Sequence, residues 1–266
     1  MRREELISLI SSQISVSHEQ AGNFLEKLRI YPREAWDAGL PAGCELSDVY
    51  PWKFKRRFSL LRRPFIQIDK AENPKFLVSP LLVRQAIRYL TETSYEGEFS
   101  QEFFQTESMR RFCDHAVKRR SSSFVQRVSK KLESFGYQTR IDTKMSIFGA
   151  SSTFGDVDIL AWKTDPTTQV LVLECKALRN ARSTSEILSQ LNEFEGDADD
   201  KLARHLARVQ WLTDNINVLQ RFLKIDLTGF QAWVITSHTV PMQFIPKDMK
   251  KKSHFIDYSY LAEHFS

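Results

Sequence analysis

Two short apolar runs that end in charge constrain this chain more than any other feature. Gly155-Asp156-Val157-Asp158-Ile159-Leu160-Ala161 and Val170-Leu171-Val172-Leu173-Glu174-Cys175-Lys176 are separated by Lys163-Thr164-Asp165-Pro166-Thr167-Thr168. Runs so rich in Val, Ile and Leu predict buried strands, and the polar Pro/Asp segment between them predicts a hairpin loop. Side chains alternate along a strand. Glu174 and Lys176 therefore share one face, while Cys175 turns the other way, into the core. Asp156 and Asp158 share a face by the same rule. A hairpin folded about Pro166 sets Asp158 opposite Glu174 and Asp156 opposite Lys176. The prediction is a patch of carboxylates beside an ammonium group at the margin of a hydrophobic sheet.

Clustered carboxylates repel one another and cost free energy to desolvate, so they need a compensating cation. Hard oxygen ligands suit Mg²⁺ or Mn²⁺, which complete their shells with water and phosphate oxygens. Such an ion polarises a phosphodiester and acidifies a bound water. A lysine two residues from a metal-binding glutamate can orient that water or offset charge in the transition state.

Asp158 followed by Glu174-Cys175-Lys176 resembles the PD-(D/E)xK motif of the restriction-endonuclease-like nuclease superfamily. The string Gly155-Asp156-Val157-Asp158 is similar to the form in Holliday-junction resolvases and Mrr-like domains. The resemblance covers roughly residues 115–245. It implies a mixed central sheet flanked by helices, with Asp158 and Glu174 as metal ligands, the backbone carbonyl of Cys175 as a third ligand, and Lys176 as the catalytic lysine. It also implies a glutamate on the helix before the first core strand. Here that helix, Ser123–Tyr137, has the apolar stripe Phe124, Val128, Leu132 and Phe135, and Gln126 is its nearest polar candidate. A neutral amide binds Mg²⁺ less strongly than a carboxylate, so the site either works with two acids or has lost activity. Gln190, on a later helix, is the second auxiliary candidate, because related nucleases carry a polar residue there.

The formal charge of +5 matters less than its distribution. Residues 53–63 carry only basic charge, interleaved with aromatics. Lys118, Arg119, Arg120, Arg127 and Lys130 lie just before the motif and are the candidate nucleic-acid contacts, since phosphate recognition rests on such charge. Lys247, Lys250, Lys251 and Lys252 form a third concentration, whereas Glu193, Glu195, Asp197, Asp199 and Asp200 are expected to face solvent away from nucleic acid. No apolar run reaches membrane-span length, and Met1-Arg2-Arg3-Glu4-Glu5 lacks a signal-peptide pattern. Cys44, Cys113 and Cys175 have no disulfide or zinc spacing. A cytoplasmic protein without membrane attachment is expected.

Helices are expected over residues 3–30, with Ser17 as an N-cap, and from Pro80 to Leu90, with Leu81, Leu82, Ala86, Ile87 and Leu90 buried. Strands are expected at Phe58–Leu61, Phe65–Ile68, Phe76–Val78, Phe230–Thr236 and Phe244–Pro246. Ser183 or Thr184 is expected to cap a helix carrying Ile187, Leu188, Leu191 and Phe194. One long helix with Leu202, Leu206, Val209, Leu212, Ile216, Leu219 and Leu223 follows, forming core or a partner surface. His205 and His238, beside apolar positions, read as structural. The expectation is an α/β chain with an N-terminal mostly helical accessory region (1–100) and a nuclease-like domain (101–266). It would be a Mg²⁺- or Mn²⁺-dependent nuclease acting on DNA, with a homodimer or protein partner engaged through the N-terminal region. The alternative is a catalytically degenerate nuclease fold that binds nucleic acid or a protein.

Overall fold

The computed structural model describes the chain apart from residues 41–43, 51, 53–55, 98, 100–105, 166, 179–180, 182–183, 195–201, 245–253 and 266, and the side chains of Ser185 and Glu186. Contacts divide it into two compact units, Met1–Val117 and Lys118–Ser266.

In the first unit, α1 (Arg3–Ile14) and α2 (His18–Leu28) precede a three-stranded sheet of β1 (Arg29–Ile30), β2 (Phe65–Gln67) and β3 (Phe76–Val78). Strand β2 is central, parallel to β1 and antiparallel to β3. Ser17 caps α2 as expected: its hydroxyl accepts from the Gln20 N–H while the Gln20 side chain accepts from the Ser17 N–H, a reciprocal capping box. Helix α3 (Pro80–Tyr95) begins with Ser79 as cap and Pro80 in its first turn, where a missing N–H costs nothing. Leu6, Ile7, Ala21, Leu25, Leu28, Phe65 and Phe76 form the core. On α3 only part of the expected stripe is inside: Ala86 is buried and Leu90 packs against the core, but Leu81 and Ile87 are exposed. The expected strand Phe58–Leu61 is a turn, pinned by Arg62 and Arg63 N–H groups donating to the Ser59 carbonyl.

The second unit is built on a five-stranded sheet. Helix α4 (Glu107–Glu133) is followed by β4 (Gln138–Lys144), β5 (Asp156–Lys163) and β6 (Gln169–Lys176). Then come α5 (Thr184–Asn192), α6 (Ala203–Asp214), α7 (Ile216–Leu223), β7 (Gln231–Thr236), β8 (His254–Asp257) and α8 (Leu261–Phe265). The strand order is β4-β5-β6-β7-β8. The first three strands are antiparallel neighbours, whereas β7 and β8 run parallel to β6. This is the expected mixed sheet flanked by helices.

Alternation sorts the sheet into two faces. Ile159, Ala161, Leu171, Leu173, Cys175 and Ile235 pack against Phe124, Val128 and Leu132 of α4. On the other face, Leu160, Val170 and Val172 meet Leu212 of α6 and Leu219 of α7. Further along that face, Val234 and Phe255 meet Leu202. Helix 202–223 is not continuous: Asn215, at φ −124° and ψ 38°, separates α6 from α7. Strand β8 was not expected from the sequence. Phe244 ends a short 3₁₀ turn instead of opening a strand; Ile245 and Pro246 lie outside the described residues. So do Ser183, Lys247, Lys250–Lys252, Lys53, Lys55 and, of the acidic stretch, Glu195, Asp197, Asp199 and Asp200. Among the described residues no helix is long and apolar enough to cross a membrane.

Candidate active site

The β5–β6 hairpin has the expected register. Ile159 pairs with Leu173 and Lys163 with Gln169, so the ladder centres on position 166. One step further places Asp158 across from Glu174. Their carboxylates share the face covered by α6, because Glu174 is also paired with Val234, whose side chain packs with Leu202. Cys175 points to the opposite face and is buried there. Its backbone N–H nevertheless donates to Asp158 Oδ2 at 2.7 Å. Asp156 is exposed at the start of β5.

Glu174 is the hub. Its side chain is 7% exposed; Oε1 lies 2.6 Å from Lys176 Nζ, and Oε2 accepts from Arg208 Nη2. Arg208 is itself buried, and its Nη1 donates to the Phe154 carbonyl at 3.0 Å. That carbonyl immediately precedes Gly155, whose φ of 72° and ψ of −142° belong to a region open essentially to glycine. Arg208 thus ties α6, the turn entering β5 and the carboxylate of β6 together. One helical turn earlier, His205 Nδ1 stands 3.9 Å from Glu174 Oε2, and its Nε2 is buried without a hydrogen-bond partner among the described residues.

Two carboxylates are met here by two fixed cations, and the electrostatics follow. Burial pushes the Asp158 carboxyl up to about 6, Glu174 adds to the rise, and the Cys175 N–H with Lys176 and Arg208 opposes it. Burial lowers His205 to about 4, against the pull of Glu174, so the imidazole is neutral at pH 7. Burial also raises the Cys175 thiol well above its ordinary value, which makes it a poor nucleophile.

Asp158, Glu174 and Lys176 are therefore brought together, with the Cys175 backbone beside them. Gln126 is not: it is exposed on α4, whose buried stripe lies against the opposite sheet face. Gln190 belongs to α5, which packs through Leu191 on the same face as the carboxylates; the residue is half-buried. Lys118, Arg119, Arg127 and Lys130 are exposed on α4 and Arg120 is half-buried there. The Arg127 guanidinium lies over the Phe124 and Tyr258 rings.

Sequence reasoning missed Arg208 and placed His205 in a structural role. The available signal was their spacing: Leu202, His205, Arg208 and Leu212 occupy the buried side of α6, so two polar residues sit inside an apolar stripe. Among the described residues no three His, Cys, Asp or Glu side chains form a metal-binding group. Two carboxylates still satisfy the one-or-two-carboxylate requirement of Mg²⁺. Asp158 Oδ1 carries no hydrogen bond among the described residues, and the Lys176 side chain is 26% exposed on a flexible stem. Asp158 and Glu174 are the side chains that could hold such an ion, with Lys176 and Arg208 on the two Glu174 oxygens in this structure.

Fold and site define an α/β protein with a charge-balanced carboxylate cluster on one face of a mixed sheet. The family model for Upx-like anti-phage proteins matches residues 1–261, and the chain belongs to that family. No curated protein and no solved structure matches it.

Proposed function

We propose that the chain is a divalent-metal-dependent nuclease of the PD-(D/E)xK type that cleaves DNA, the chemistry by which this anti-phage protein acts. The observation that carries the reading is the convergence of Asp158, Glu174 and Lys176 on one side of the β5–β6 ladder. Asp158 and Glu174 would hold Mg²⁺ or Mn²⁺. The bound ion would polarise the phosphodiester and acidify a water. Arg208, anchored on the Phe154 carbonyl, keeps the Glu174 carboxylate oriented. Lys176, released from Glu174, places its ammonium group against the charge that grows on the phosphate oxygens. His205, neutral and buried, adds no positive charge to the cluster. Exposed Lys118, Arg119, Arg127 and Lys130 supply sequence-independent phosphate contacts.

The test is incubation with plasmid and single-stranded DNA under Mg²⁺ or Mn²⁺. Cleavage is expected, and Lys176→Ala or Asp158→Ala should lower it by about three orders of magnitude, the rate equivalent of several kcal/mol of lost charge stabilisation. Equal nicking by wild type and both variants would refute the assignment.

A second reading, a nuclease fold that binds without cutting, is favoured by one observation: both Glu174 oxygens are already engaged, by Lys176 and Arg208. In that case Mn²⁺ titration should show no binding dependent on Asp158, while DNA binding should still weaken with salt.

A further inference from the structure

The first unit contains a second feature that the hydrolytic reading does not use. A cavity of about 600 Å³ is lined by Arg29, Tyr31, Arg33, Glu34, Gln67 and Lys70, with Pro32, Ala38 and Gly39 completing the wall. That volume falls within the range of small-molecule pockets, roughly 300–1,000 Å³. Three of its charges are positive and one is negative.

The cations are not equivalent. Arg29 is held in place, its guanidinium paired with Glu26 at 2.5 Å, donating to the Gln67 side chain and lying 5.5 Å from the centre of the Tyr31 ring. Lys70 is 61% exposed and only loosely paired, 3.8 Å from Glu34. Arg33 is the anomaly. Its guanidinium lies 5.2 Å from the Phe58 ring centre, yet it meets no carboxylate among the described residues, and its Nη1 is buried with no hydrogen-bond partner. A buried donor left without a partner destabilises the fold, and more so when it carries charge. Arg33 lines the cavity, and an anion there is the simplest partner for a guanidinium that meets no carboxylate among the described residues.

We propose that this cavity binds a phosphorylated small molecule of mononucleotide size. Arg33 engages phosphate oxygens with its planar fork, and Lys70 adds a point charge at the mouth. The Arg29 guanidinium, set over the Tyr31 ring, offers the remainder of the ligand a pre-set surface, and Tyr31 is fixed by its hydroxyl donating to the Gly39 carbonyl at 3.0 Å. Phosphate is favoured over carboxylate because its three oxygens can meet the Arg33 fork and the Lys70 ammonium at once, where a carboxylate offers two. A free nucleotide is favoured over a nucleic-acid strand because the cations gather around one cavity instead of forming a track along a backbone.

The experiment is calorimetric titration of the full chain, in EDTA, with AMP, ATP, inorganic phosphate and a single-stranded oligonucleotide. AMP or ATP should bind, more tightly than inorganic phosphate. Arg33→Gln and the exposed Lys70→Gln should each weaken binding by about tenfold, equivalent to about 1.4 kcal/mol. Asp158→Ala should leave this binding unchanged, which separates the pocket from the carboxylate cluster. Circular dichroism of Arg33→Gln guards against misfolding, and Lys70→Gln carries the test if that variant does not fold. Absence of nucleotide binding, wild-type affinity in a folded variant, equal affinity for inorganic phosphate and AMP, or oligonucleotide binding that AMP cannot displace would each overturn the proposal.

Discussion

The two faces of the five-stranded sheet share one ladder and differ in what they bury. Under α4 the face is apolar from Ile159 and Ala161 to Cys175 and Ile235, with a neutral Ser129–Thr139 hydrogen bond toward one edge. Under α6 it is apolar at Leu160, Val170 and Val172, then ionised at Asp158, Glu174 and Lys176. Alternation makes the contrast simple in sequence terms: Leu173 and Glu174 are neighbours, yet one lies in an apolar layer and the other in an ion network. The contrast also shows where stability can be surrendered. The α4 face can be altered only at the cost of cavities, whereas the α6 face holds a buried ion network whose parts depend on each other.

The sharpest way to break that contrast is Arg208→Met. Removing one partner of a buried ion pair costs about 3–5 kcal/mol, because the other charge is left without compensation. Denaturant unfolding should show this loss, and Arg208→Met combined with Glu174→Leu should recover most of it, since an apolar pair in that position restores the symmetry of the two faces. If Arg208→Met alone unfolds at the wild-type midpoint, the network contributes nothing. On the α4 face, Leu173→Ala should cost about 2–5 kcal/mol by cavity formation, with no rescue by any change at Glu174.

A smaller effect is set by pH. The carboxyl of Asp158 is raised from 3.8 to about 6, first by burial and then by Glu174. Its contribution to folding is therefore fully present below about pH 3.8 and is lost as pH rises through about 6. Histidine 205 has the opposite sign: lowered from 6.5 to about 4, it favours the fold above about pH 6.5, and that contribution is lost as pH falls through about 4. If Asp158 is a metal ligand as proposed, it must be ionised to bind, so Mn²⁺ affinity should fall by about tenfold per unit below pH 6 as protons compete for the ligand. Titrations between about pH 5 and 8 read this directly; a flat profile would remove Asp158 from the ligand set.

The α4-facing half of this comparison was legible in the sequence. Period-two alternation and the Pro166 turn signal placed the hairpin in register, and the Phe124, Val128 and Leu132 stripe identified the covering helix. Asp158, Glu174 and Lys176 of the ionised cluster were legible for the same reason, since all three lie on one hairpin. Arg208 was not, because it reaches Glu174 from 34 residues away and no local period records which distant carboxylate a helix residue will meet. Short elements failed differently. Strand β8 has four residues, too few to display a period, and Phe58–Leu61 has strand composition but is held as a turn. The apolar spacing of 202–223 runs straight through Asn215 and concealed the break between α6 and α7.

The parallel placement of β7 beside β6 carries a consequence for assembly order. Asp158 and Glu174 meet through a local antiparallel hairpin, but Arg208 arrives only within the crossover that leads from Lys176 to Gln231. Local pairings close early and long crossovers late, so the two acids face each other before their guanidinium partner docks. Substitutions at Arg208 should then hasten unfolding while leaving the refolding rate nearly unchanged, a division that stopped-flow measurements resolve.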